Sequence, residues 1–234
     1  MTFIVIEGID GAGKSTQIGR LAKWITSPTL SECPIHKRRV LLTSESYSLP
    51  YLDKEGNQPC FSFHPPSPTL ELWMFSMARV KCLEQTILPA LKAGETVLCD
   101  RFTDSTIAYQ CYGRKLPASL VEQLNSLATN GLTPDLTLVI DVDINIAMQR
   151  KNSRGNQSYL DQESYEFFTR VRQGYLDIVE SNPFNHVLID GNLPVDQVTE
   201  QVISSVQAKF AQISDSPSVF CQQLRRVRRC NEND

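Results

Sequence analysis

The sequence has 234 residues, 41% of them hydrophobic and 21% charged, with a formal net charge of -3. That length suits one α/β domain able to bury a core without disulfides or metals, and the balanced composition excludes disorder through the body of the chain. The slight negative charge gives no general electrostatic reason to bind nucleic acid or an anionic membrane, so a small-molecule substrate is favoured over a polymer.

In chain order, Thr2–Glu7 is an apolar run without a basic leader, too short for a signal core, and reads as a first strand. Directly after it, Gly8-Ile9-Asp10-Gly11-Ala12-Gly13-Lys14-Ser15-Thr16 satisfies G-x-x-x-x-G-K-[ST] between a strand and a helix. Gly11 and Gly13 let backbone N–H groups turn inward on phosphate oxygens, and a helix starting near Lys14 adds its positive end. Lys14 supplies a mobile charge for the β and γ phosphates of ATP, and the Ser15 hydroxyl is placed for Mg²⁺. A glycine turn that merely ended a strand would not need Lys14 and Ser15 at these offsets. Along the helix, Ile18, Leu21, Ala22 and Ile25 recur on a sheet-facing side, leaving Gln17, Arg20 and Lys23 toward water.

Further strands are expected at Val40–Thr43, Thr96–Cys99, Leu136–Asp141 and His186–Ile189, giving a five-stranded parallel sheet flanked by helices in three layers. Helical periodicity marks Leu70–Lys92, which Pro89 should kink or end, then Leu116–Thr129, Ile144–Lys151, Gln162–Glu180 and Val195–Phe210. Ser27–Lys37 and Ser46–Pro68 read as loops. Residues 1–213 therefore form the domain, and residues 214–234, with Arg225-Arg226-Val227-Arg228-Arg229, a polar, poorly ordered tail. No apolar stretch approaches the ~20 residues that cross a bilayer as a helix, and a cytoplasmic location is expected. The seven cysteines show no C-x-x-C pair or zinc-type Cys/His spacing and read as reduced packing thiols. His36, His64 and His186 read as surface or turn residues.

A phosphate loop alone does not separate kinases from switches or motors, but no N-K-x-D guanine reader or early D-x-x-G switch is present, which disfavours a GTPase. Asp100-Arg101 ends the run Thr96–Cys99, at the strand end where ligands collect in parallel sheets. Asp100 could hold Mg²⁺ through water or polarise an acceptor, and Arg101 could grip an acceptor phosphate; a buried structural ion pair is the alternative. Phe75 and Arg79 are four apart, so a ring that can stack on a base and a guanidinium that can reach its edge share one helix face. Ser105, Thr106, Tyr109 and Gln110 add hydroxyls and an amide close by. Each of these alone also fits a core aromatic or a polar surface helix.

Together these blocks resemble the thymidylate kinase family of phosphate-loop nucleoside monophosphate kinases over most of the chain to about Phe210. Pro134-Asp135-Leu136-Thr137-Leu138 and Gln162-Glu163-Ser164-Tyr165-Glu166-Phe167-Phe168 extend the likeness. The resemblance implies ATP-dependent phosphorylation of dTMP to dTDP by a Mg²⁺-requiring homodimer with a short mobile lid at about residues 150–162. It implies that Asp10 contacts the 3′-hydroxyl of the acceptor sugar and Phe75 stacks on thymine. Arg79 would reach the base edge, Arg101 would bind the acceptor phosphate, Thr106 and Gln110 would read the base, and Tyr109 would favour deoxyribose.

Two departures stand out. Relatives carry a Thr-Arg-Glu-Pro block after the second strand where this chain has Thr43-Ser44-Glu45-Ser46, so Arg101 acts with another cation or the acceptor is held more loosely. Arg38 and Arg39 precede that strand, at the wrong end of the sheet. The Asp-Arg pair expected later in the lid is Ser158-Tyr159, which leaves Arg154 to neutralise the transferring group with Arg150 in support on the ATP side; Arg150 and Lys151 fit equally a basic helix end complementing its dipole. Two alternatives follow: a kinase for another or modified deoxynucleoside monophosphate, and an ATP-binding regulatory protein with little kinase activity.

Overall fold

The computed structural model describes residues 2–27, 35, 39–44, 66–152 and 159–214. The loop residues 45–65, Arg38, Arg154, Ser158, His36, His64 and the tail after Ser214 lie outside the described residues.

The elements in chain order are β1 (Thr2–Glu7), α1 (Lys14–Thr26), β2 (Val40–Ser44), α2 (Pro68–Cys82), a π turn (Leu83–Ile87), α3 (Leu88–Lys92) and β3 (Thr96–Asp100). They continue with α4 (Thr103–Thr106), a second π segment (Ile107–Gly113), α5 (Ala118–Thr129), β4 (Leu136–Asp141) and α6 (Ile144–Asn152). A 3₁₀ turn (Tyr159–Gln162), α7 (Tyr165–Ser181), β5 (His186–Asp190) and α8 (Val195–Ser214) complete the chain. The five strands form one parallel sheet in the order β2-β3-β1-β4-β5. Its central strands are apolar on both faces because helices cover both, as parallel crossovers require. Ile4 and Ile6 of β1 join a large cluster with Ile18, Leu21 and Ile25 of α1 and Val198, Val202 and Val206 of α8. Phe3 and Val5 point the other way, into a cluster with Cys82, Leu83, Ile87 and Leu91.

All five expected strands are present, each within a residue of its expected end. Pro89 marks an irregularity and not an end: the hydrogen bonding widens in Leu83–Ile87, where Leu88 N–H reaches Leu83 O, and the helix runs on to Lys92 past a residue that has no N–H to give. Three expectations need correction. Gln17 does not face water, because α8 packs on α1; Gln17 is 2% exposed, donates to Val195 O at 3.2 Å and accepts from Thr199 at 2.8 Å. Thr103–Gly113, given no helix by the sequence pattern, is helical throughout. His186 is no surface histidine: it opens β5 with its ring largely covered and 2.8 Å from the Asp104 carboxylate.

Ser67 caps α2 by accepting from Leu70 N–H, with Pro68 in the first turn, and Ser164 caps α7 by accepting from Phe167 N–H. The sheet's register sets β3 beside β1 so that Ile6 lies level with Asp100. The segments leaving these two neighbouring strands, Gly8–Gly13 and Arg101–Thr106, therefore emerge side by side.

Candidate active site

The loop after β1 turns through glycines in the left-handed region: Gly8 has φ 135°, Gly11 86° and Gly13 97°. Gly11 is also sterically required, since a Cβ there would stand 2.2 Å from Ala147 O. Lys14 heads α1 and folds back over the loop, donating to Gly8 O at 3.2 Å and Ile9 O at 3.0 Å. Burial and the neighbouring Arg101 charge push the Lys14 ammonium down, while Asp100, Asp10 and Glu7 pull it back up. Ile9 and Ala12 are buried, and Ser15 and Thr16 are exposed at the start of α1.

Ser15 Oγ donates to Asp100 Oδ2 at 3.1 Å, which joins the loop of β1 to the end of β3. The other Asp100 oxygen, Oδ1, is buried without a hydrogen-bond partner among the described residues. A hydroxyl beside a carboxylate with one unclaimed buried oxygen suits a hydrated divalent cation, whose water would supply the missing donor.

Arg101 sits at φ 71°, unusual for a residue with a Cβ. Its N–H still reaches Ile6 O at 3.1 Å, extending the β1–β3 ladder, and the following N–H of Phe102 donates to Glu7 Oε1 at 2.7 Å. Held this way, the guanidinium turns over the phosphate loop. It lies 2.6 Å from Asp10 Oδ1 and donates to Ser105 Oγ at 3.0 Å and the Tyr175 hydroxyl at 3.1 Å, with the Tyr109 ring beneath it. Burial opposes both charges of the pair, yet the Arg101 and Lys14 charges and the Tyr109 hydroxyl hold the Asp10 carboxyl well below the usual carboxylate range. Tyr109 donates to Asp10 Oδ2 at 2.8 Å.

Beneath Arg101 lies Glu7, fully buried. It accepts from Phe102 N, Ser105 N, Ser105 Oγ and the Tyr175 hydroxyl. Burial and the nearby Asp104 carboxylate push its carboxyl up to about 7, against the pull of Arg101. Burial also opposes the charge on His186, but its bond to Asp104 wins and raises it.

A second group of expected residues sits between α2 and Thr106–Arg114. Arg79 has no exposure; it donates to Asn125 Oδ1, to Phe102 O at 3.2 Å and to Thr106 Oγ1. Gln110 Nε2 donates to Glu71 Oε1 at 2.6 Å. Phe75 lies half-buried between Glu71 and Arg79 on the same face of α2.

The structure thus gathers Asp10, Lys14, Ser15, Asp100, Arg101, Ser105 and Tyr109 at the C-terminal ends of the central strands β1 and β3, with Phe75, Arg79, Thr106 and Gln110 in the adjoining layer. Arg150 lies on α6, whose Ala147 abuts Gly11 of the loop, and donates to Gly191 O at 3.1 Å just after β5. Sequence reasoning missed Glu7, Tyr175, Glu71 and Arg114. For Glu7 a signal existed, since a charged residue closing an apolar strand at its C-terminal end was the same argument that singled out Asp100.

A family model described as thymidylate kinase matches residues 6–202. The thymidylate kinase of Kosmotoga olearia is 37% identical over 201 residues, which is 86% of this chain and 93% of the relative. That of Trichodesmium erythraeum is 38% identical over 222 residues, covering 90% of this chain and 96% of the relative. Among solved structures, thymidylate kinase from Ehrlichia chaffeensis is similar with a TM-score of 0.66 at 33% identity, covering 88% of this chain and 98% of that one.

Proposed function

The chain belongs to the thymidylate kinase family, and from that premise we infer that it transfers the γ-phosphoryl group of ATP to dTMP, giving dTDP and ADP. The observation that carries the reading is the junction of the phosphate loop with the end of β3, where Ser15 meets Asp100 and Asp10 meets Arg101. Donor-binding and acceptor-binding groups are there one hydrogen bond apart. The comparisons lend no support to a kinase of another deoxynucleotide or to a regulatory binder.

In the reaction, an oxygen of the dTMP phosphate bonds to the γ-phosphorus and the bond from that phosphorus to the β–γ bridging oxygen breaks, leaving ADP. Lys14 and the loop N–H groups hold the ATP phosphates, and Arg101 orients the acceptor phosphate. Asp10 contacts the 3′-hydroxyl, Phe75 stacks on thymine, Arg79, Thr106 and Gln110 contact the base, and Tyr109 favours deoxyribose. Ser15 and, through water, Asp100 would hold Mg²⁺, which when bound neutralises phosphate charge. Arg154, in the proposed lid at about residues 150–162, meets the transferring group.

The proposed protein is a cytoplasmic homodimer. Trp73 and Met77 support the dimer: they are one helical turn apart on α2 and about half exposed, 50% and 51%. Buried thiols at Cys82 and Cys99 suit a reducing compartment, and no described helix is long and apolar enough to cross a membrane. The deciding experiment is Mg²⁺-dependent ADP formation from ATP with dTMP, dUMP, dCMP, dAMP and dGMP in parallel. A clear preference for dTMP is expected, and no acceptor-dependent ADP from dTMP would defeat the reading.

A further inference from the structure

A stripe on α2 faces a stripe on the helical segment after β3, and the two run antiparallel. Arg79 meets Thr106 at one end, and at the other Glu71 meets Gln110 and Arg114. Glu71 has no exposure to water, so its charge needs a close partner. Arg114 supplies it with a two-pronged grip, Nε at 3.2 Å from Oε1 and Nη2 at 2.9 Å from Oε2. Its remaining Nη1 donates to Glu163 Oε1 at 2.5 Å, in the turn before α7, and its guanidinium lies 4.8 Å over the Phe167 ring. Burial opposes the Arg114 charge, but the bonds to Glu71 and Glu163 outweigh it and raise the group further.

This anchoring decides the orientation of the Gln110 amide. An ionised carboxylate only accepts hydrogen bonds, so the end of the amide held by Glu71 must be its NH₂. The amide oxygen is then the end turned away from Glu71. Thr106 is fixed by the same logic: Arg79 only donates, so the Thr106 oxygen accepts and its hydrogen remains for another acceptor. Beside Gln110 and Thr106 a base thus meets one fixed acceptor and fixed donors. Thymine, with a ring N3–H flanked by carbonyls, matches that set, whereas cytosine, with a bare N3 and an amino group, opposes it.

We propose that Glu71 and Arg114 are specificity-determining positioning residues: by locking the Gln110 amide they make the acceptor pocket accept a ring N–H and refuse a ring nitrogen lone pair. The inference rests on the reading of Gln110 as a base-contacting residue of a dTMP kinase. Neither anchor touches the base, so their effect is on choice between bases.

The test compares kcat/KM for dTMP and dCMP in the full-length enzyme, its Glu71→Gln variant and its Arg114→Lys variant, with thermal melting to confirm folding. Glu71→Gln keeps the shape but can donate as well as accept, which frees Gln110 to turn over. The dTMP-to-dCMP preference should fall on the order of tenfold or more, the scale of one mispaired buried polar group. Arg114→Lys keeps a positive charge beside Glu71 without the fork and should lower the preference in the same direction, by less. It decides the matter alone if Glu71→Gln does not fold. Folded variants that lose activity on both substrates equally, with the preference unchanged, would overturn the proposal and leave Glu71 and Arg114 as structural props. Wild-type enzyme inactive on dTMP would instead defeat the underlying functional reading.

Discussion

Arg101 Nη2 stands 2.6 Å from Asp10 Oδ1, so the chain's expected phosphate-binding arginine is held by an expected sugar-binding carboxylate. The two lie 91 residues apart in sequence. Arg101→Lys keeps the charge but loses the fork that spans Asp10, Ser105, Tyr175 and Tyr109. Steady-state kinetics should show kcat/KM for dTMP reduced on the order of a hundredfold, with KM for ATP within about twofold of wild type. Equal damage to both substrates would mean that Arg101 supports the loop rather than the acceptor.

The Ser15–Asp100 contact and the unclaimed Asp100 Oδ1 lead to a metal prediction. Asp100→Asn should raise the Mg²⁺ concentration for half-maximal activity by about tenfold or more, as loss of a group orienting metal-bound water does. Titrating Mg²⁺ at saturating ATP and dTMP reads this directly, and an unchanged midpoint would remove Asp100 from the metal site.

Two loop glycines should respond differently to alanine. At Gly11 the new Cβ would meet Ala147 O at 2.2 Å on top of a φ of 86°, so the fold should lose about 2–4 kcal/mol in urea denaturation. At Gly13 nothing lies within 4 Å, so only backbone strain applies and about 1–2 kcal/mol is expected.

Glu7 makes stability fall as pH rises. Its carboxyl stands near 7 in the folded protein against an ordinary value of 4.5, so between these values the folded chain holds a proton that the unfolded chain has released. The stabilisation is complete below about pH 4.5 and is lost as pH passes 7. His186, raised by Asp104, acts in the same direction above its ordinary 6.5, whereas Asp10, depressed, adds stability that is lost only as pH falls below 3.8. Urea midpoints between pH 5 and 8 should decline for wild type and flatten in Glu7→Gln, a difference of roughly 1–3 kcal/mol across the range. Parallel declines in both proteins would assign the effect to the His186–Asp104 pair.

The strands were legible because each is a short apolar run, and the charged pair Asp100-Arg101 closing β3 marked the site, while Glu7 closing β1 carried the same signal unread. The helix over Thr103–Gly113 was hidden by its composition. Its buried positions include Thr106, Tyr109, Gln110 and Gly113, which have helical spacing but carry polar groups or no side chain, although Ala108, Tyr109 and Gly113 pack on the core. Gln17 misled for a related reason: a polar residue was buried by α8, an element 178 residues away. Glu71 and Arg114 left no local trace, because each makes sense only through the other, 43 positions distant. Arg154 and the altered lid residue Ser158 fall outside the described residues, so their part in the site rests on sequence alone.

The adjacency of β1 and β3 has a consequence for tolerance to change. The gap between the phosphate loop and Arg101 is set by a single inter-strand ladder, Thr2↔Thr96 through Ile6↔Asp100, extended by Arg101 N–H to Ile6 O. Positional error therefore does not accumulate along the 91 residues between Asp10 and Arg101. Changes of length or sequence in the connection from β2 to α2 should therefore leave the spacing of Asp10 and Arg101 intact, so the sheet insulates that pair from drift in the chain between them.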